Sequence, residues 1–223
     1  YDENNVFQVK MNIPKHFGGT GEDCWGWMLC DAPIIFYSLI KFGVPIHSLK
    51  NGLNHLVTYI RNNGWPCTVS PEMGKFRGPG KKDDPCPYAT LQMPKLLSQV
   101  EEYKNSNECH IGAETLLNLW KSSMEAHPYM FYMGTDFRKI KAPTIWYDIV
   151  SITDVLSQLT WLKNDIRLHE MINIIESKAD ENGCYTPESE YKACKGWDFG
   201  QKKTPSKWLT FIILRVLKRI RTK

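Results

Sequence analysis

The chain has 223 residues, 42% hydrophobic, 23% charged and 12% aromatic, a globular composition that excludes disordered and fibrous classes. Its 28 Lys and Arg stand against 24 Asp and Glu, a formal charge of +4 too balanced to make nucleic acid the expected partner. The apolar stretches 34–40 and 209–214 fall far short of the roughly 18 residues that a membrane-spanning helix needs, so no transmembrane segment is expected.

In chain order, Ala32 to Phe42 and Pro45 to Arg61 read as helices, because Leu49, Leu53, Leu56, Val57 and Ile60 recur three and four apart and Gly43 and Gly64 stand at stops. The segment from Thr68 to Pro87 is rich in Pro and Gly and reads as a loop. Tyr88 to Tyr103 and Ile111 to Ala126 form a second helix pair, Tyr147 to Leu162 and Ile166 to Lys178 a third, and Ser206 to Ile220 a last helix. No alternating run competes as a sheet, so the fold class is all-α with about seven main helices in one domain, 1–223.

The first helices of the pairs start near 31, 88, 147 and 205, a repeat of some 58 residues that makes about three and a half helix hairpins. At an offset of 119, Leu49 falls on Leu168, Leu53 on Ile172, Leu56 on Ile175 and Gly64 on Gly183. Such hairpins bury their faces only against their neighbours. The chain starts with Tyr1 and has no basic-then-apolar leader, which reads as a processed chain or part of a longer one.

Seven cysteines, at 24, 30, 67, 86, 109, 184 and 194, include no CxxC pair, and there is no N-x-S/T sequon. An odd count without sequons points to a reducing cytoplasm.

Hairpins end in a polar turn and an aromatic: Arg61-Asn62-Asn63-Gly64-Trp65, and Asp180-Glu181-Asn182-Gly183-Cys184-Tyr185. These turns resemble the repeat of the prenyltransferases and the squalene and terpenoid cyclases. The closing stretch from Pro205 to Arg219 also resembles the end of uncharacterised bacterial proteins with such repeats. The resemblance covers about residues 24 to 220 and implies an α/α toroid, or a partial one, whose inner helices line a cavity for an apolar or isoprenoid-like ligand.

The cyclase motifs D-x-D-D and D-D-x-x-D are absent, since Asp83-Asp84 is followed by Pro85, Cys86 and Pro87. Asp84-Pro85-Cys86 matches instead the D-x-C of zinc-dependent protein prenyltransferases, and Asp148 stands where that group carries a His. Repeat geometry adds Cys30 at the first inner-helix start and Cys67 after the Gly64 turn. The candidate zinc ligands are therefore Cys30, Cys67, Asp84, Cys86 and Asp148. The same cysteines also read as small buried residues at helix starts.

Trp25, Trp27, Tyr88, Trp146 and Tyr147 fall near inner-helix starts and suit an apolar ligand or a developing cation; core packing accounts for them too. Lys75, Arg77, Lys81 and Lys82 lie in a Gly-rich loop that suits a diphosphate, although it also reads as a solvated loop. The last helix is basic and amphipathic, a pattern of weak membrane-surface contact or of a docked helix with solvated cations. A non-catalytic helical repeat that binds a partner protein on its concave face is the alternative function.

Overall fold

The computed structural model describes residues 1–76, 81–125, 136–144 and 147–222. Among them are seven α-helices: α1 Ala32–Lys41, α2 Ile46–Val57, α3 Pro87–Leu97, α4 Asn107–Lys121, α5 Ile149–Leu156, α6 Ile166–Glu176 and α7 Lys207–Arg221. The protein is mainly α-helical, as its periodicity predicts. The first helices of the pairs begin at 32, 87, 149 and 207, intervals of 55, 62 and 58 residues.

Local chemistry sets the ends. Proline enters α1 and α3 in the first turn, where no backbone donor is needed. The side chains of Asp148, Asp165 and Ser206 accept the free N–H groups of Ser151, Arg167 and Leu209 at the starts of α5, α6 and α7. Two helices stop earlier than periodicity suggests. Pro94 removes a donor inside α3, which ends at Leu97. Helix α5 ends at Leu156 because the Asp154 carbonyl, which the Gln158 N–H would use, already accepts from the Ser157 hydroxyl, the Gln158 amide and Arg219.

The all-α expectation is corrected in one respect. Strand β1 (Val9–Asn12) pairs antiparallel with β2 (Asp23–Gly26), and β3 (Lys141–Ala142) pairs parallel with β4 (Ser189–Glu190). The alternation in these strands runs for only two to four residues, too short to stand out in the sequence.

Contacts divide the chain into two compact units, one built on residues 1–116 and one on residues from 117 onward. In the first, α1 packs against α2 and α3, and β2 against the 3-10 turn Pro71–Met73. The core there holds Phe36, Leu53, Leu56, Trp65, Leu91 and Leu96. In the second, α5 packs against α6 and α7, and β3 against α7, around Ile149, Ile152, Leu156, Leu168, Met171 and Ile213. Each unit thus has a first helix that touches its own partner and the first helix of the next pair, the contact pattern of stacked hairpins.

Candidate functional site

The site begins with the turn that closes the first hairpin. Arg61 and Gly64 exchange backbone hydrogen bonds at 2.9 and 3.1 Å. Gly64 has φ +99°, and a Cβ there would lie 2.7 Å from Thr90 Oγ1, so both backbone and space call for glycine. The buried Trp65 that follows donates its backbone N–H to Thr90 Oγ1 at 3.0 Å and its indole N–H to the Leu56 carbonyl at 3.2 Å. Its carbonyl accepts the Cys86 N–H at 2.7 Å.

The second unit repeats this knot. Gly183 has φ +72°, the Tyr185 N–H donates to Thr210 Oγ1 at 3.0 Å, and the Tyr185 carbonyl accepts the Ser206 N–H at 2.9 Å. Cys86 and Ser206 therefore hold the same place. Each caps its helix, Cys86 Sγ accepting from the Ala89 N–H at 3.4 Å and Ser206 Oγ from the Leu209 N–H at 3.2 Å.

What the first unit adds is a group of thiols. Two residues beyond Trp65, Cys67 enters a segment that pairs with the start of α1: the Leu29 N–H donates to the Thr68 carbonyl at 3.0 Å, and Met28 bridges Val69. Cys30, Cys67 and Cys86 are brought together by these two pairings. The Cys67 thiol donates a hydrogen bond to Cys86, and the Cys30 thiol donates one to Asp31.

The thiols of this cluster are shifted in opposite directions. The hydrogen bond from Cys67 draws the Cys86 thiol below its ordinary range, helped by the backbone N–H groups of Ala89 and Tyr88 against the effect of burial. That same bond, with burial, pushes Cys67 well above the thiol range. Burial first, then the neighbouring Asp31 and Cys86, pushes Cys30 up. Burial raises Asp31 while the Cys30 hydrogen bond opposes it, and burial with the charges of Asp31, Cys30 and Cys86 pushes Tyr88 up to about 12. The arrangement sets Cys86 at a helix N-terminus with its thiol drawn down, next to a Cys67 thiol that is pushed up.

Two expected carboxylate ligands have other local work. Asp84 Oδ2 accepts the Lys81 N–H at 3.0 Å. Asp148 belongs to the second unit, where it is fully buried; its Oδ1 accepts the Ser151 N–H at 2.8 Å, and its Oδ2 has no hydrogen-bond partner among the described residues. Among the described residues, no group of three or more His, Cys, Asp or Glu side chains is arranged to hold a metal ion. Asp31 was not singled out by sequence, although it precedes Pro33 at a helix start and adjoins Cys30.

The expected aromatics take different places. Trp27 is buried, its indole N–H on Asp2 Oδ2 at 2.8 Å and its ring against His55 and Tyr59. Trp25 is exposed. Tyr88 is buried beside the thiols, and Tyr147 is buried in the second unit against Phe137. Lys75, Lys81 and Lys82 are exposed, and the Lys75 N–H donates to the Gly18 carbonyl. Arg77 and Trp146 lie outside the described residues. An open cleft of about 370 Å³ is lined by Arg61, Asn62, Asn63 and Asp83.

No protein-family model, curated protein or solved structure matches the chain, so the functional reading rests on the geometry of the site itself.

Proposed function

We propose that the protein is a helix-hairpin domain of the α/α-toroid kind whose thiol cluster binds a thiophilic ion, zinc foremost, beside an apolar, isoprenoid-like ligand. The observation that carries this reading is the convergence of Cys30, Cys67 and Cys86 from three separate chain segments onto one helix start, with Asp31 adjacent. Three sulfurs and a carboxylate are a donor set that zinc accepts. Loading requires Cys67 to give up its hydrogen bond to Cys86 and Cys30 to turn from Asp31, since ligands bind deprotonated. A bound zinc ion would supply Lewis acidity or hold a thiolate of a second molecule. The protein's own part is to draw the Cys86 thiol down, to bring Cys67 and Cys30 beside it, and to set the Tyr88 ring near them.

The test is a titration of the reduced protein with zinc against a chromogenic chelator, repeated with cobalt to read the sulfur-to-metal absorption band. One equivalent should bind, and Cys86→Ser and Cys67→Ser should each lose it while Cys184→Ser keeps it. Binding of less than about a tenth of an equivalent by the native protein, or unchanged binding by Cys86→Ser, would refute the reading. Cys86→Ser is a fair variant because Ser206 already fills the equivalent capping position.

A further inference from the structure

The last part of the chain differs in charge from the rest. Residues 190–223 carry ten Lys and Arg and two acids, whereas the preceding residues carry 18 and 22. Asymmetry of this size within a nearly balanced chain suits a surface that meets an anionic partner.

Helix α7 gives that charge a shape. Leu209, Ile212, Ile213, Val216 and Leu217 are buried and account for its packing on α5 and β3. The opposite side is also apolar: Trp208, Phe211 and Leu214 are 51%, 54% and 49% exposed. The Trp208 and Phe211 rings stand 6.0 Å apart, and the Arg215 guanidinium lies over Phe211 at 5.8 Å. Lys207, Phe211, Leu214 and Lys218 follow one another at spacings of four, three and four, so an exposed apolar stripe has a lysine at each end. Arg215 and Arg219 are tied to Asp154, and Arg221 to Glu176. Lys202, Lys203, Lys207 and Lys218 are exposed and have no ion-pair partner among the described residues. Trp197, 57% exposed, opens the turn Asp198–Gly200, which itself packs on α7.

We infer that the outer face of α7 is a docking surface for an anionic lipid membrane, on which Trp208, Phe211 and Leu214 enter the headgroup boundary while the free lysines meet lipid phosphates and carboxylates. The composition of the stripe selects this partner. Leu214 offers nothing for a nucleic-acid base to stack on, whereas Trp, Phe and Leu between lysines are the set that seats a helix in the plane of the interface. This surface lies in the second unit and does not depend on the thiol reading.

Flotation of the full chain with vesicles tests it, comparing pure phosphatidylcholine with phosphatidylcholine containing about 30% phosphatidylserine. Binding is expected to the mixed vesicles, with little to the neutral ones, a steep fall with added salt, and a blue shift of tryptophan emission that Trp208→Ala removes. Lys207→Glu with Lys218→Glu should weaken binding about tenfold or more. Trp208→Ala with Phe211→Ser should weaken it as strongly with the charge unchanged, and circular dichroism should read both variants as folded. Equal binding to neutral vesicles, or none to either kind, would overturn the proposal. So would single-stranded or duplex oligonucleotides that bind and displace the vesicles, or a dimer in size-exclusion chromatography that Phe211→Ser dissolves.

Discussion

Asp148 sets up a test in which sign and size both follow from one side chain. It is fully buried at the start of α5, one oxygen caps the Ser151 N–H at 2.8 Å, and the other finds no hydrogen-bond partner among the described residues. Burial raises its carboxyl from 3.8 to about 6, against the backbone hydrogen bond from Ser151 and the charge of Lys141. Between those two values the folded protein keeps a proton that the unfolded chain has released, so stability falls as the pH rises through that window. The interval of about two units, at about 1.4 kcal/mol each, corresponds to about 3 kcal/mol. Asp148→Asn keeps a good cap and cannot ionise, so this slope should vanish and the variant should be the more stable protein above pH 6. The gain will be smaller than 3 kcal/mol, because the amide nitrogen inherits the unpartnered position, which costs about 1–3 kcal/mol. Urea unfolding of both proteins at intervals from about pH 4 to pH 7 measures the difference. A gap between them that stays constant over that range would refute the reasoning.

Three further outcomes are expected. Cys67→Ala removes the hydrogen bond that lowers Cys86, so the thiolate absorbance near 240 nm that native protein gains below the ordinary thiol range should move to higher pH; Cys86→Ser should remove it altogether, and an unchanged titration in Cys67→Ala would deny the coupling. Gly64→Ala should cost about 2–3 kcal/mol, since a left-handed backbone position is joined by a clash on Thr90, while Gly183→Ala, with open space around it, should cost about 1 kcal/mol, as paired urea melts would show. Asp154→Asn removes the carboxylate on which Arg215 and Arg219 converge at 2.8–2.9 Å, and a loss of about 1–2 kcal/mol is expected by the same measurement.

Spacing reveals an element where burial alone decides it and fails where a local hydrogen bond competes. Leu49, Leu53 and Leu56, and likewise Leu168, Ile172 and Ile175, are core contacts of α2 and α6, and their three-and-four pattern is legible because nothing interrupts it. The pattern runs past the end of α5 because periodicity takes no account of side chains that occupy the Asp154 carbonyl. The meeting of Cys30, Cys67 and Cys86 is legible for the same reason as the helices: the repeat places a turn and two helix starts side by side. Asp84 and Asp148 each give one oxygen to a nearby backbone N–H, a local bond that spacing alone does not reveal. Trp25 and Trp27 look alike in sequence, yet β2 ends between them at Gly26, leaving one on the surface and one in the core.

The two copies of the closing knot separate what Cys86 does for the fold from what it adds. In both units an aromatic residue after a left-handed glycine gives its N–H to a threonine 25 residues on and takes an N–H from the cap residue 21 residues on. The second unit accomplishes this with Ser206, whose oxygen is the better cap, so capping does not require sulfur at position 86. Nor does the knot require Cys67, since Pro187 follows Tyr185 at the same distance and closes no thiol pair. A cysteine kept merely as a small buried residue has no need of a second thiol that donates to it, nor of a third beside an aspartate. Sulfur at positions 67 and 86 of one copy, where the other has Pro187 and Ser206, is therefore an addition that the closing knot itself does not call for. Its consequence is one thiol drawn below its ordinary range beside another pushed above it, and that property is chemical before it is structural.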